Sequence, residues 1–339
     1  MKKTLTFILA LALFGTLHQA CKTDIDLYED YKDITVVYGL LDCQKDTNYI
    51  KINKAFLGPG NALEIALIAD SCNYPEKLNS RIIEYSSSSP NGSYTPTRTF
   101  ELDTITIHNK EYGSFYAPDQ LVYYTTERIR NNTDHRFYKY ALEIDHSDTT
   151  LRAETNIVGG DSFVILINQL NVTNTTPTGV IKWNPCPYAV IYGISVDFRF
   201  TEVGPTNDSV QRCITWDLGT YPISNLSSDY GIFNVSYRSL DFYQTVAHKL
   251  GADTLNNVER LLSTYPITVK ISAGGEELYN FIAVNGPSSS IVQNVPEYTN
   301  IIGGYGVFSS RTNIEKKIKL SPQSVLELKQ RTNWHFRQM

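Results

Sequence analysis

The 339-residue chain is poor in the residues that announce a chemistry. Its five cysteines and six histidines form neither an HExxH pair nor a Cys/His zinc spacing. Lysine and arginine together number 30 against 35 acidic residues, for a formal charge of −5. That balance argues against nucleic acid as a partner. Beyond the first twenty residues no apolar run approaches the roughly 20 residues of a membrane-spanning helix. Gly303-Gly304-Tyr305-Gly306 lacks the third glycine of a dinucleotide loop, the Lys-Ser/Thr of a P-loop and a following helix. Such glycines suit a bulge or a close approach of strands. No EF-hand spacing occurs, and no cofactor or metal is implied.

The remaining letters of catalysis are equally thin. His108, His135, His146, His248 and His335 share no helical face. Asp145-His146-Ser147-Asp148 spells a hydrolase triad, yet neighbours in a strand or turn point apart, whereas triad members converge from distant segments. A solvated turn is the expectation there. A pair of carboxylates for glycoside hydrolysis needs no local motif and stays open.

What is present begins at the N-terminus. Lys2 and Lys3 precede an apolar run from Leu5 to Leu17, and Cys21 follows Ala20 at a cleavage position. Too short to span a bilayer, the run reads as a signal peptide over 1–20, with Cys21 as the lipidation site of a membrane anchor. Asp24, Asp26, Glu29, Asp30 and Asp33 then make an acidic, self-repelling tether over 21–33. Export makes Cys43, Cys72, Cys186 and Cys213 disulfide candidates with three possible pairings. Cys43 lies in a turn and Cys72 soon after it, so Cys43 with Cys72 is the expected pair. Cys186 and Cys213 fall too far apart along a hairpin to join.

Alternation with period two dominates the rest. ITVVYGLL (34–41), NYIKINKAF (48–56), RTFELDTITIH (98–108), FYKYALEID (137–145) and 151–157 read as strands with one wet side. In LVYYTTER, Tyr123 and Tyr124 must face opposite ways. Asn61 can cap a short, mostly apolar helix over ALEIALIA, with Glu64 reaching back to it; such a helix belongs against the sheet or under a partner. The polar, uncharged stretch 168–179 suits a linker. Beyond it, Trp183 lies in one strand, and Tyr192, Ile194, Val196, Phe198 and Phe200 share one face of the next. Ser239 can cap a helix over 240–250 that Gly251 stops, and Asp253 can cap a second over TLNNVERLL. Strands are expected at ITVKI, LYNFIAV and YGVFSS, and a last helix at Ser321-Pro322. The fold class is therefore mainly β: two β-sandwich-like domains at 34–167 and 180–339, the second elaborated with two short helices, plus a C-terminal helix.

The Trp183 strand, its proline-bounded loop and the Tyr192 strand resemble the start of a fibronectin type III domain. Over most of the chain, the acidic leader after Cys21, VVYGLLD, NYIKINKAFLGPGNALEIA with Asp70-Ser71, and YTNIIGGYGVFSSR resemble a Bacteroidota outer-membrane lipoprotein family of unknown function. The resemblance implies a lipid-anchored protein of the outer membrane, often at the cell surface, made beside TonB-dependent transporters. Its implied partners are the membrane, through the N-terminal lipid, and an outer-membrane transporter complex. It implies no established activity, so a non-enzymatic binding or assembly accessory is the expected function. A surface glycan or peptide hydrolase and a structural adhesin are the alternatives.

Overall fold

The computed structural model describes residues 32–57, 61–108, 110–206, 208–251, 258–286 and 297–338. The leader over 1–20, Cys21 and most of the acidic tether lie outside the described residues. Half of the structure is strand and 16% helix, so the protein is mainly β.

The first half carries β1 (Lys32–Leu41), β2 (Asn48–Leu57), β3 (Asn79–Ser87), β4 (Thr95–Glu101), β5 (Asp103–Ile107), β6 (Gln120–Thr125), β7 (Phe137–His146) and β8 (Thr149–Asn156). Between β2 and β3 come two single-turn helices, α1 (Ala62–Ile65) and α2 (Ala69–Cys72). The second half carries β9 (Gln169–Leu170), β10 (Thr178–Trp183), β11 (Ile191–Val203), β12 (Ser209–Pro222), β13 (Ser227–Asp229), β14 (Ile232–Arg238) and α3 (Ser239–Leu250). It continues through β15 (Glu259–Leu262), β16 (Ile267–Gly274), α4 (Glu276–Asn285), β17 (Tyr305–Leu320), α5 (Pro322–Gln330) and β18 (Phe336–Gln338).

One large sheet runs through both halves in the order β18-β15-β11-β16-β17-β1-β2-β6-β5, with β12 also on β11 and β9 on β17. Smaller sheets, β4-β3-β7-β8 and β10-β14-β13, face it. Strand β17 joins the halves because its two ends have different neighbours. Tyr305–Ser310 run parallel to Val36–Leu41, whereas Arg311–Ile318 run antiparallel to β16. Gly306 permits the parallel seam: its φ is +106°, and a Cβ there would land on the Val37 backbone.

Two apolar cores flank this seam. One gathers Val37, Ile50, Tyr123, Tyr140 and Leu142 from residues 37–157, together with Ile301 and Phe308. The other is built by residues 158–336 around Trp183, Tyr192, Phe198 and Phe242. The alternation read in the sequence fixes which side chains enter: Tyr192, Ile194, Val196, Phe198 and Phe200 are all buried on one face of β11. Tyr123 is buried, whereas Tyr124 is only partly covered.

Several expectations need correction. Residues 168–179 are no spacer. Val172 and Thr173 are buried, with Val172 N–H donating to Ser324 Oγ at 2.8 Å and Thr173 N–H to Ser239 Oγ at 3.1 Å, so polar side chains of α5 and α3 satisfy this backbone. Lys32 and Asp33, assigned to the tether, already belong to β1. RTFELDTITIH breaks at buried Leu102, so β4 and β5 enter different sheets. The second helix, expected from Asp253, is extended where it is described: β15 pairs with β11 and β18, and Arg260 reaches Glu202 at 3.0 Å. LYNFIAV is helical in α4, where Glu276 and Glu277 occupy the first turn and favour its positive end. Helix α3 stops at Gly251 as expected, but Ser239 is its first residue and not its cap, with Oγ donating to the Thr176 carbonyl at 3.0 Å. Helix α5 starts at Pro322 as expected, with Ser321 Oγ accepting from Ser324 N–H at 3.2 Å.

Candidate functional site

The hairpin β1–β2 has two unlike faces. Val37, Ile50 and Ile52 point into the first core. Val36 and Tyr38 point the other way, directly opposite Asn53 and Lys51. That outer face is roofed by α1, α2 and the loop 110–116 rather than left to water, which encloses a hollow of about 580 Å³. Its size falls within the usual range of small-molecule sites.

Local sequence explains the roof. Asn61 Oδ1 accepts from Leu63 N–H at 3.1 Å and its amide donates to Glu64 Oε1 at 2.9 Å, so α1 starts where the sequence placed it. The expected eight-residue helix is split, because Ile68 is extended between α1 and α2. The Tyr116 N–H donates to the Ala66 carbonyl at 2.8 Å, pinning the loop to the end of α1. Lys110 reinforces this loop, with Nζ donating to the Tyr116 carbonyl at 2.6 Å and lying 5.8 Å from the Phe115 ring centre. Leu63 and Phe115 remain 68% and 59% exposed, making an apolar mouth.

The lining is mostly apolar, and its charged residues carry one sign. Val36, Ala55, Ala62, Leu63, Ala66 and Phe115 supply hydrocarbon, Asn53 and Ser114 are neutral polar members, and Lys51, Lys54 and Lys110 are the basic ones; among the described residues no carboxylate lines the hollow. Burial, and then the positive charge of Lys110, push the Lys51 pKa below its ordinary value. Lys51 Nζ donates to Gln120 Oε1 at 3.2 Å and retains further donors. Asn53 Oδ1 is buried without a hydrogen-bond partner among the described residues. Because an amide can turn either end inward, Asn53 can present N–H groups to an anion. The site therefore has an apolar body and a cationic end.

Of the described cysteines and histidines singled out from sequence, Cys72 lines the hollow and the others do not. Cys43 and Cys72, the expected pair, are both free thiols with different partners. Cys72 lines the hollow and donates to the Ala66 carbonyl at 3.3 Å, beside residues paired at Val36 and Asn53. Cys43 sits in the β1–β2 turn and donates to Asn131 Oδ1 at 3.5 Å. Five strand residues separate Val36 from Leu41, or roughly 17 Å, which removes the geometry expected from closeness in sequence. Cys213 is exposed on β12 opposite Arg199 of β11. The Asp145–Asp148 letters form the β7–β8 turn, with Ser147 at φ +54°. There Thr150 and Arg81 hydrogen bonds hold the Asp145 carboxyl below its usual range.

A second hollow, about 740 Å³ and lined by Trp216, Asp217, Tyr237, Asp241 and His248, is larger and more open. Its two carboxylates are already engaged: Asp241 by Arg238 at 2.7 and 2.9 Å, and Asp217 by the Gly219 N–H at 2.9 Å. Among the described residues Glu277 is the carboxylate pushed upward, by burial. It lies in none of the described hollows, and Ser309 and Thr155 donate to it at 2.8 and 3.0 Å. Lys51 escaped the sequence reading because a lysine on the wet face of a strand looks solvated until something roofs it, and Lys110 because it lies in a loop with no periodicity to place it. The signal that pointed here was the short apolar helix after Asn61, expected to lie against the sheet.

These features define a mainly-β protein with a roofed, lysine-bearing apolar hollow. No protein-family model matches the chain, and no curated protein matches it.

Proposed function

We propose that the protein is a non-enzymatic binding accessory, lipid-anchored through Cys21 at the outer membrane, whose roofed hollow takes an apolar ligand bearing a carboxylate. The observation that carries the binding reading is the lining: lysines, no acid among the described residues, and a largely hydrocarbon surface. Hydrocarbon entering the hollow leaves water, and its head group relieves the repulsion between Lys51 and Lys110. The location is supported by the sequence, in which the apolar leader ends at Ala20-Cys21 and an acidic tether follows. A lipid anchor would hold the hollow at high effective concentration near a neighbouring transporter complex.

The test is calorimetric titration of the full chain with dodecanoate, with dodecyltrimethylammonium as the cation of matching chain length. Saturable one-to-one binding of dodecanoate, weakened by salt and absent for the cation, is the expected result. Equal binding of both amphiphiles, or of neither, overturns the proposal. Metabolic labelling with palmitate, with Cys21→Ser as control, tests the anchor separately, and an unlabelled wild-type chain refutes it.

A further inference from the structure

Two thiols from opposite halves of the chain converge on one glycine. Cys43, half-buried in the β1–β2 turn, has its sulfur 3.5 Å from Asn131 Oδ1 and 3.9 Å from the Val158 carbonyl. Gly159, next in the chain, has φ +148°, and a Cβ there would come within 2.9 Å of the Cys43 sulfur and collide with Asn131. Only glycine lets that sulfur approach the backbone so closely. From the other side, the Gly159 N–H donates to the Pro187 carbonyl at 3.4 Å and also lies against the Cys186 sulfur. The Cys186 sulfur is itself 3.7 Å from the same Pro187 carbonyl, and the residue is 4% exposed. No side chain of residue 159 stands between the sulfurs, since glycine has none. Burial, and then the neighbouring Cys43, raise the Cys186 thiol pKa.

We infer that Cys43 and Cys186 are a disulfide pair, closed across Gly159 by exchange with an oxidised disulfide donor, that ties the β1–β2 turn to the β10–β11 connection. The pairing differs from both arrangements that distance along the sequence favours or rejects. Exposure assigns the order of events. Cys43, the more accessible, attacks one donor sulfur as its thiolate, forming a mixed disulfide and releasing the first donor thiol. Cys186 then attacks the Cys43 sulfur and expels the second donor thiol. One donor disulfide is broken, one protein disulfide is formed, and the two thiol protons end on the two donor thiols. The bond would link a residue beside the first core to one inside the second, adding a covalent tie to the shared β17.

The test equilibrates the full chain in a glutathione buffer rich in the oxidised form, alkylates free thiols, and maps the peptides by mass without reduction. One linked pair joining Cys43 to Cys186, lighter by two hydrogens, with Cys72 and Cys213 alkylated, is the expected result. Cys43 linked to Cys72, or Cys43 and Cys186 both alkylated, overturns the inference. The Cys72→Ser/Cys213→Ser variant, which spares the pair, should form the same link. Since the closed loop is long, adding dithiothreitol should lower the unfolding midpoint of the oxidised wild type by roughly 10 °C. Cys43→Ser should show no such response, and an equal response in both proteins also overturns the inference.

Discussion

Replacing Lys51 by methionine separates binding from stability. Methionine keeps a stem of similar length and shape against Val36, Ala55 and Phe115 while removing the ammonium group. In the unliganded protein that ammonium is a cost: burial and Lys110 both disfavour its charge. Lys51→Met should therefore leave the thermal midpoint unchanged or raise it, losing only the 3.2 Å bond to Gln120, which solvent can replace. A bound carboxylate would lose one charge-assisted hydrogen bond, about 1.5–3 kcal/mol, so dodecanoate should bind roughly 10- to 100-fold more weakly. The pH dependence has a definite sign. Between the lowered folded value and the ordinary 10.5, the unfolded chain holds more protons at this residue than the folded one does. Wild-type stability therefore gains a rising contribution from Lys51 across that window, and Lys51→Met removes it. A bound carboxylate also raises the Lys51 pKa, so wild-type binding should take up protons at alkaline pH, read by calorimetry in buffers of different ionisation enthalpy. Unweakened dodecanoate binding, or a midpoint lowered by several degrees, would refute the reasoning.

Two further substitutions test how the scaffold holds the hollow. Glu84 is fully buried, and although burial alone pushes its pKa up, hydrogen bonds from Arg98 at 2.6 Å, Thr97 at 2.7 Å and Tyr140 at 2.8 Å hold the carboxyl below its ordinary value. Glu84→Gln should cost about 3 kcal/mol in urea unfolding, the low end for breaking a buried pair, because Arg98 is 26% exposed and can rehydrate. The wild-type contribution is present above the ordinary value of 4.5 and lost as pH falls through the lower folded one, so the variant should show a shallower acid limb. Matching acid limbs would remove Glu84 from that role. Gly306→Ala should cost about 3 kcal/mol or more and selectively strip amide protection from Val37–Leu41, because the added Cβ lands on the Val37 backbone. Retained protection along β1 would show that the parallel seam tolerates a side chain.

The sequence determined what local physics can determine. Alternation placed the face of β11 and the two sides of Tyr123 and Tyr124, because a strand buries every second residue whatever it packs against. Gly251 and Ser321 marked helix ends, since caps act within one turn, whereas Ser239 begins α3 without capping it and engages its hydroxyl with Thr173 and Thr176. Glu259–Leu262 and LYNFIAV were misread because short apolar runs fit both periods, and neighbours such as Glu202 and β18 decide between them. The tertiary structure alone decided which strand joins the halves, that polar residues 168–179 are pinned in place, and that α1, α2 and the loop 110–116 roof Lys51. It alone brought Cys43 to Gly159 rather than to Cys72. Each of these contacts joins residues far apart along the chain, where periodicity carries no information and long-range packing sets the distance.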